Sequence, residues 1–211
     1  MSARAGKLIV DQFMTLDGIV QAPGGPDEDT SSNFAHGGWQ ASLLDDESLK
    51  LIVEEIEMDE ALLLGRRTYE IFANFWPKAP AEDPIARKLN AMPKYVASHT
   101  LRRVEWANSA LLGPDLRQEI ARIKSRHKET HVIGSGDLVQ SLLRERLVDR
   151  LNLWVYPLTL GTGKRLFGDG TVPTALELVR SRAFPKGAVL LTYETRGEPT
   201  YGTIGDPEAG S

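Results

Sequence analysis

The chain has 211 residues, 41% of them hydrophobic and 26% charged, which suits one globular domain with a sizeable core. A net charge of −4 without a basic block argues against nucleic acid as a partner, and the absence of cysteine excludes disulfides, a thiolate nucleophile and a zinc–thiolate site. No apolar run reaches membrane-spanning length and no signal peptide is recognisable, so we expect a cytoplasmic protein that does not contact a membrane.

The first predicted element is a mostly buried strand over residues 8–14, followed by a turn at 15–18. Within that turn, Asp17 is either a turn former, because Asp-Gly favours turns, or part of a binding site. Residues 22–38 carry almost no apolar side chains, which is typical of a flexible loop or of a lid over a site. Trp39 closes this segment and either anchors the core or packs on a planar ligand.

The next segment predicts an amphipathic helix. Residues 42–45 fit a variant capping box, and apolar side chains then repeat with the helical period at Leu49, Ile52, Val53 and Ile56. This register points Leu49 toward the core. Three acidic residues of the helix are expected to face solvent and not to form a catalytic pair: Glu54, Glu55 and Glu57.

A short apolar strand at 61–64 then runs directly into Gly65, Arg66, Arg67 and Thr68 at the start of a second helix. A helix N-terminus offers free N–H groups, and guanidinium groups bind phosphate oxygens in a bidentate manner. The alternative is a pair of surface arginines, although the helix dipole disfavours cations at this position. The pattern therefore indicates an anion-binding junction.

Further along the chain, a strand at 94–99 ends near Ser98, and two arginines follow at 102–103. These polar residues either hold an additional phosphate or are solvated loop residues. Pro114 opens a further helix, because proline is favoured at the first helical position.

The next stretch, residues 130–143, predicts a β-branched strand, the turn Gly134-Ser135-Gly136 and an amphipathic helix. The two glycines allow a tight turn and a close backbone approach to a ligand, and the helix start suits a phosphate. A tight β–α turn without any ligand explains this stretch equally well when it is taken alone.

The C-terminal part begins with a strand at 149–157 that we expect to be covered on both faces. The glycine-rich segment 160–167 holds two cations but lacks the P-loop spacing, so it does not predict a nucleoside triphosphate site. Strands near 176–179 and 188–194 predict a hairpin. The Pro- and Gly-rich tail, residues 197–211, is predicted to be disordered.

Together these elements predict a single α/β domain over residues 1–196. Its central sheet is mixed and mostly parallel, with helices on both faces and an antiparallel C-terminal edge hairpin. Ligands of such sheets bind beyond the carboxyl ends of the strands, where both anion-receptive junctions lie. Two such junctions on one rim suit a dinucleotide with a bridging pyrophosphate.

Three motifs, in this order along the chain, resemble the dihydrofolate reductase-like superfamily: Leu64–Tyr69, Val132–Gly136 and Leu160–Phe167. The resemblance extends over residues 7–195 and is to the branch that contains the C-terminal reductase domain of the bifunctional riboflavin-biosynthesis deaminase/reductase. It implies a three-layer fold and NADPH as cofactor, with Ser98 near the adenosine 2′-phosphate. The cofactor-binding residues that it implies are Gly65, Arg66, Arg67, Thr68, Ser98, Gly134, Ser135, Gly136, Asp137 and Leu138.

The sequence also departs from these relatives. Dihydrofolate reductases carry an acidic residue early in the helix after the first loop, and here the spacing back from Gly65 puts Leu49 nearest to that position, which argues against folate reduction. The zinc-dependent deaminase half needs cysteine ligands, which this chain lacks. The ribose-phosphate contacts of the riboflavin reductase have no residue-by-residue match, so the substrate is left open.

We therefore predict an NADPH-dependent reductase that transfers hydride to a small heteroaromatic or carbonyl substrate, without a metal. The alternatives are an NADP(H)-binding protein without turnover, such as a sensor or a degenerate family member, and a pure scaffold. The proton comes from water or from Asp17, and the apolar content after residue 150 favours a homodimer. The expected substrate contacts are Trp39, Phe72, Trp76, Trp154 and Leu160.

Overall fold

A computed structural model describes residues 5–204, which form one sheet with helices packed on it. Its strands are β1 Lys7–Thr15, β2 Leu62–Gly65, β3 Lys94–Ala97, β4 Ser109–Leu111, β5 Glu129–Ile133, β6 Arg150–Tyr156, β7 Leu176–Ala183 and β8 Val189–Thr195. Its α-helices are α1 Asp46–Met58, α2 Arg66–Phe75, α3 Pro84–Ala91, α4 Leu116–Arg126 and α5 Gly136–Arg144. Across residues 5–204, no helix is long and apolar enough to cross a membrane.

The sheet has the spatial order β4-β3-β2-β5-β1-β6-β8-β7. The strands from β4 to β6 pair in parallel, whereas β8 pairs antiparallel with both β6 and β7. The predicted α/β class, with a mostly parallel sheet and an antiparallel edge hairpin at the C-terminus, is thereby confirmed. Parallel neighbours need long crossover connections, and the intervening helices supply them.

Helices cover both faces of the sheet, and alternate residues of one strand show this directly. Leu63 packs with residues of α4 and α5, whereas Leu62 and Leu64 pack on the other side with residues of α2 and α3. All three leucines are fully buried. A strand buried on both faces requires an uninterrupted apolar run, which residues 61–64 provide.

The register of α1 differs from the prediction. The helix begins one residue after Asp45, which accepts a hydrogen bond of 2.8 Å from the Ser48 N–H in a capping box. This start turns Leu51 toward the core and leaves Leu49 45% exposed, so the predicted inward orientation of Leu49 is wrong. Glu55 was expected to face solvent, but in the structure it is half-buried.

The loop at 22–38 holds a large core residue that the composition did not reveal. Phe34 is 7% exposed and packs in a cluster with Ile19 and Trp39. The indole N–H of Trp39 donates a hydrogen bond of 2.8 Å to the carbonyl of Gln21, which ties the two ends of the loop together. This phenylalanine, together with Ala22 at the start of the loop, anchors a segment that otherwise has almost no apolar side chains.

Two further boundaries differ from the prediction. The three-residue edge strand β4 was not predicted, because so short a strand has no detectable period. Strand β7 continues to Ala183, well past the predicted end, and all of its residues are exposed. The predicted disorder of the tail concerns residues 197–211, of which 205–211 lie outside the described part of the chain.

Candidate functional site

A cleft of about 1150 Å³ opens at the carboxyl ends of the parallel strands. In the order of the strands, it is lined by the β4–α4 segment, the turn after β3, the β2–α2 junction, the β5–α5 junction and the turn after β1. This is the position at which open α/β sheets bind their ligands, because several strand–helix turns meet there.

The β2–α2 and β5–α5 junctions contact each other in the middle of this cleft. The Gly65 N–H donates to the Ser135 hydroxyl at 2.9 Å, and the Ser135 N–H donates to the Thr68 hydroxyl at 3.0 Å. Gly134 has a φ of +64°, and a Cβ atom on it would lie 3.3 Å from the Thr68 side chain. Glycine at this position therefore permits both the left-handed turn and the close approach of the two junctions.

Three helices begin at the cleft, and two of them, α2 and α5, lack the side-chain cap that α4 has. Within residues 5–204, α1, α3 and α4 are each capped by an aspartate side chain that accepts backbone N–H groups. The N-cap residues of α2 and α5 are Gly65 and Ser135, and neither makes a side-chain cap. Serine usually caps a helix, but the Ser135 hydroxyl is used to hold Gly65. Two first turns therefore present N–H groups to the cleft without a capping side chain.

A carboxylate lies between two cations beside these helix starts. The Asp29 carboxylate accepts from Lys164 at 2.5 Å and from Arg67 at 3.2 Å, and Arg67 also donates to the Ser31 hydroxyl at 3.0 Å. Burial opposes ionisation of Asp29, but hydrogen bonds from Lys164 and Ser31 outweigh it and hold its pKa well below the usual value. Arg66, in contrast, pairs with Glu70 on the helix surface at 3.0 Å.

The rest of the cleft combines aromatic surface with buried polar groups. Phe72 and Trp76 meet edge to face with ring centroids 6.0 Å apart, and both line the cleft. Glu28 is half-buried there; burial raises its pKa, although the N–H groups of Gly24 and Gly25 that bond to its carboxylate act in the opposite direction. This composition suits a planar ligand with an apolar face and a few polar edges.

The structure brings all ten residues of the predicted cofactor site to this one cleft, together with the predicted substrate contacts Phe72 and Trp76. Ser98 lies in the turn after β3, where its hydroxyl accepts from the N–H groups of Thr100 and Leu101 at 3.1 and 3.0 Å. Residues that are far apart in sequence thus share one rim of the sheet.

Three other predicted substrate contacts do not lie in the cleft. Trp154 is 2% exposed and stacks on Phe184 at 5.0 Å between centroids, and Trp39 is 7% exposed in the same core cluster, with Leu160 packed against that cluster. Large aromatic side chains bury as readily in a core as in a cleft, and here the core accounts for both tryptophans.

Asp17, which the sequence analysis names beside water as a source of the proton, is also absent from the cleft lining. Its carboxylate accepts from the Thr15 hydroxyl at 2.5 Å and from the N–H groups of Leu160 and Gly161 at 3.2 and 2.8 Å. The Thr15 hydrogen bond, opposed by burial and assisted by these N–H groups, lowers the pKa of Asp17. Asp17 therefore joins two loops, and its low pKa makes it a poor proton donor.

The residues that the sequence analysis did not assign to the site include Gln12, Glu28 and Lys164, which all line the cleft. Glu28 lies in the segment 22–38, whose composition predicts only a flexible loop or a lid, and Lys164 lies in the glycine-rich segment 160–167, which lacks the P-loop spacing. Gln12 offered the one usable signal, because a glutamine inside a mostly apolar strand is expected to have a specific partner.

This sheet order, with uncapped helix starts facing a cleft at the strand ends, defines a dihydrofolate reductase-like α/β protein. More particularly, the chain belongs to the RibD C-terminal domain family, whose family model matches residues 6–190. Among curated relatives, the uncharacterized protein YyaP of Bacillus subtilis is 25% identical over 198 residues, or 90% of this chain and 96% of YyaP. The uncharacterized protein YwjB of the same species is 28% identical over 135 residues, or 64% of this chain and 72% of YwjB.

Solved structures agree with this assignment. A proposed riboflavin biosynthesis protein from Shewanella sp. PV-4 matches with a TM-score of 0.65 and 22% identity, over 90% of this chain and 99% of its own. The diaminohydroxyphosphoribosylaminopyrimidine deaminase/5-amino-6-(5-phosphoribosylamino)uracil reductase of Thermotoga maritima matches with a TM-score of 0.60 and 14% identity, over 91% of this chain and 57% of its own. At these identities the likeness shows the fold alone. The match of the family model to residues 6–190 confirms the predicted branch of the superfamily.

Proposed function

We propose that the protein is an NADPH-dependent reductase that transfers hydride to a small heteroaromatic or carbonyl substrate. One observation carries this proposal: two uncapped helix N-termini, those of α2 and α5, touch each other at a single cleft. Free N–H groups and the positive ends of two helix dipoles favour phosphate groups, so this pair suits a pyrophosphate. Membership of the reductase-domain family supports the oxidoreductase class.

The residues present fit such a cofactor. The first turns of α2 and α5 would hold the pyrophosphate, Arg67 would add charge, and Ser98 would lie near the 2′-phosphate as the family resemblance implies. Gly65 and Gly134 have no side chains where the two junctions approach each other, which leaves the backbone accessible. When bound, the nicotinamide supplies the hydride.

The side chains of the chain then have three tasks. Phe72 and Trp76 orient the planar substrate and exclude water, which is the larger part of what a protein contributes to hydride transfer. Glu28 holds a proton to a higher pH than an ordinary glutamate and is the proton donor that we assign, in place of Asp17. Lys164 provides positive charge beside the helix starts.

The test combines a binding measurement with an activity measurement. NADPH is titrated into the protein, and its absorbance is then followed with a panel of pyrimidines, pteridines and quinones. Arg67→Ala is expected to weaken NADPH roughly tenfold, because a charge-assisted phosphate contact is lost. Arg103→Ala is the control, since Arg103 is 83% exposed and pairs with Glu105 outside the cleft. Equal affinities of the two variants would contradict the phosphate role of Arg67.

The alternative is an NADP(H)-binding protein without turnover. Asp17, one of the two proton sources considered from the sequence, lies outside the cleft, which agrees with this alternative if Glu28 transfers no proton. Tight NADPH binding without oxidation by any compound of the panel would support this alternative. Oxidation that depends on a panel compound would support the reductase.

A further inference from the structure

Two polar residues interrupt the middle of β1, and they differ in how they are satisfied. The Asp11 carboxylate bonds to the His131 ring at 2.7 Å and accepts from the Asn152 amide at 2.7 Å. Gln12 is only 3% exposed, and its Oε1 atom has no hydrogen-bond partner. Burying an acceptor without a partner is unfavourable and rare in folded proteins, so this atom needs an explanation.

Gln12 lines the cleft, where two other buried glutamines provide an internal comparison. Gln21 donates to the carbonyl of Asp29 at 3.0 Å, and its own carbonyl accepts from the Lys164 N–H at 3.1 Å. Gln40 donates to the Tyr156 hydroxyl at 2.7 Å. The side chains of Gln21 and Gln40 therefore hydrogen-bond within the protein. The carbonyl of Gln12 has no such partner and can accept a hydrogen bond from a ligand.

A second buried polar atom of a cleft residue also lacks a hydrogen-bond partner. The indole Nε1 of Trp76 is buried without an acceptor, and Trp76 also lines the cleft. The other buried side-chain atoms without partners in the described chain lie elsewhere, on Ser109, Thr130 and Arg150. The cleft thus offers one unpaired neutral acceptor and one unpaired neutral donor beside aromatic surface, which favours a neutral polar ligand edge over an anion.

We propose that Gln12 is a ligand-binding residue that recognises an amide edge, an N–H group next to a C=O group, on the ring bound in the cleft. This inference rests on the proposed function and deepens it. A carboxamide has both an acceptor and donors, so it is complementary to such an edge. The edge occurs in cyclic amides of the uracil or pteridinone type and in the carboxamide of nicotinamide, so either ligand can be its source.

The proposal predicts opposite effects on stability and on binding. Gln12→Met keeps the length of the side chain and removes the unpaired acceptor, so the melting temperature is expected to rise by roughly 2–4 °C. Gln40→Met is the matched control, because it leaves the Tyr156 hydroxyl without a partner and is expected to lower the melting temperature. A merely structural role of Gln12 would make both variants less stable.

Binding measurements distinguish the two ligands that could carry the amide edge. If the substrate ring is the source, Gln12→Met weakens uracil roughly tenfold, leaves 1,3-dimethyluracil unchanged, and does not alter NADPH affinity. If nicotinamide is the source, the variant weakens NADP roughly tenfold but not its 3-acetylpyridine analogue, which lacks the amide N–H. Unchanged affinity for every one of these ligands would overturn the proposal.

Failure of the proposed function gives a different result. Uracil and its dimethyl derivative are compared by saturation-transfer NMR on the full chain without NADPH, so the role of Gln12 is tested even if NADPH does not bind. Absence of NADPH binding by the unaltered protein, with uracil binding that depends on Gln12, would remove the reductase and retain this inference.

Discussion

In the cleft, the Asp29 carboxylate forms ion pairs with Arg67 and Lys164. A ligand phosphate would contact the same two cations. Asp29 stays ionised because hydrogen bonds from Lys164 and Ser31 outweigh its burial. The carboxylate therefore competes with a phosphate for the same charges. We expect Asp29→Asn to tighten NADPH binding roughly two- to fivefold, a modest change because Arg67 is 50% exposed.

This prediction is checked by titrating the variant beside Asp27→Asn, which alters an exposed carboxylate of the same loop. The control is expected to leave the affinity for NADPH unchanged. Weaker binding in Asp29→Asn would mean that Asp29 shapes the loop for the ligand and does not compete with it.

The proposed role of Glu28 as proton donor can be tested with a single substitution. Because a proton donor must be protonated, the rate is expected to be highest below the raised pKa of Glu28 and to fall as the pH increases through it. Glu28→Gln keeps an oxygen for the Gly24 N–H but has no transferable proton. We expect kcat to fall roughly 100-fold and the pH-dependent fall in rate to vanish, with NADPH affinity retained. A kcat and a pH profile that match the unaltered protein would assign the proton to solvent.

At the scale of elements, α1 is joined to the sheet through a buried histidine. His131 on β5 lies 2.7 Å from Asp11 on β1 and 3.1 Å from Asp59 at the end of α1, with Glu129 at 3.9 Å. Burial alone would lower the pKa of His131, but these carboxylates raise it to about 9. For Asp59 burial acts in the opposite direction and raises the pKa, although the charge of His131 lowers it. The folded cluster therefore holds protons that the unfolded chain releases.

The stability of the fold is expected to depend on pH through this cluster. Since the folded-state pKa of His131 lies above the unfolded value of 6.5, its contribution is fully present below pH 6.5 and is lost as the pH rises to about 9. We expect the free energy of unfolding to decrease by roughly 1–3 kcal/mol across this interval. Urea unfolding of His131→Asn should show a flatter pH dependence there, whereas the exposed His36→Asn should match the unaltered protein. Identical slopes in all three proteins would refute the assignment.

At the scale of the whole molecule, β7 leaves an apolar surface at one edge of the sheet. Leu176, Leu178 and Val179 are 38%, 51% and 46% exposed, and among residues 5–204 β7 pairs with β8 alone. Exposed edge strands are usually protected, and a second copy of the chain would cover this one. We therefore expect a homodimer in solution.

Light scattering coupled to size exclusion checks this expectation. Leu178→Glu should shift the protein to the monomer mass, because a charge in a buried apolar interface is unfavourable. Met58→Glu is the control, since Met58 is 80% exposed at the end of α1. A monomeric unaltered protein, or a dimer that persists in Leu178→Glu, would contradict an interface on β7.

The motif at 160–167 shows which features a sequence pattern can predict and which it cannot. Its glycines indicated a turn, but only the structure explains Gly163, where φ is +121° and a Cβ would lie 2.8 Å from both Ile19 and Phe34. Lys164 in the same motif reaches Asp29, which is 135 residues away in the chain. The packing partner and the ionic partner both belong to a distant loop, which no local period specifies.

The sequence by itself determined the alternation of strands and helices, the C-terminal hairpin and the two glycine junctions, because these depend on local periodicity and turn chemistry. Only the tertiary structure decided which buried residues line the cleft and which pack in the core. Trp154 and Trp76 have the same side chain, yet one stacks in the core and the other lines the cleft. Burial is a property of the surroundings, and for Gln12, Glu28 and Asp29 those surroundings form only when distant segments meet.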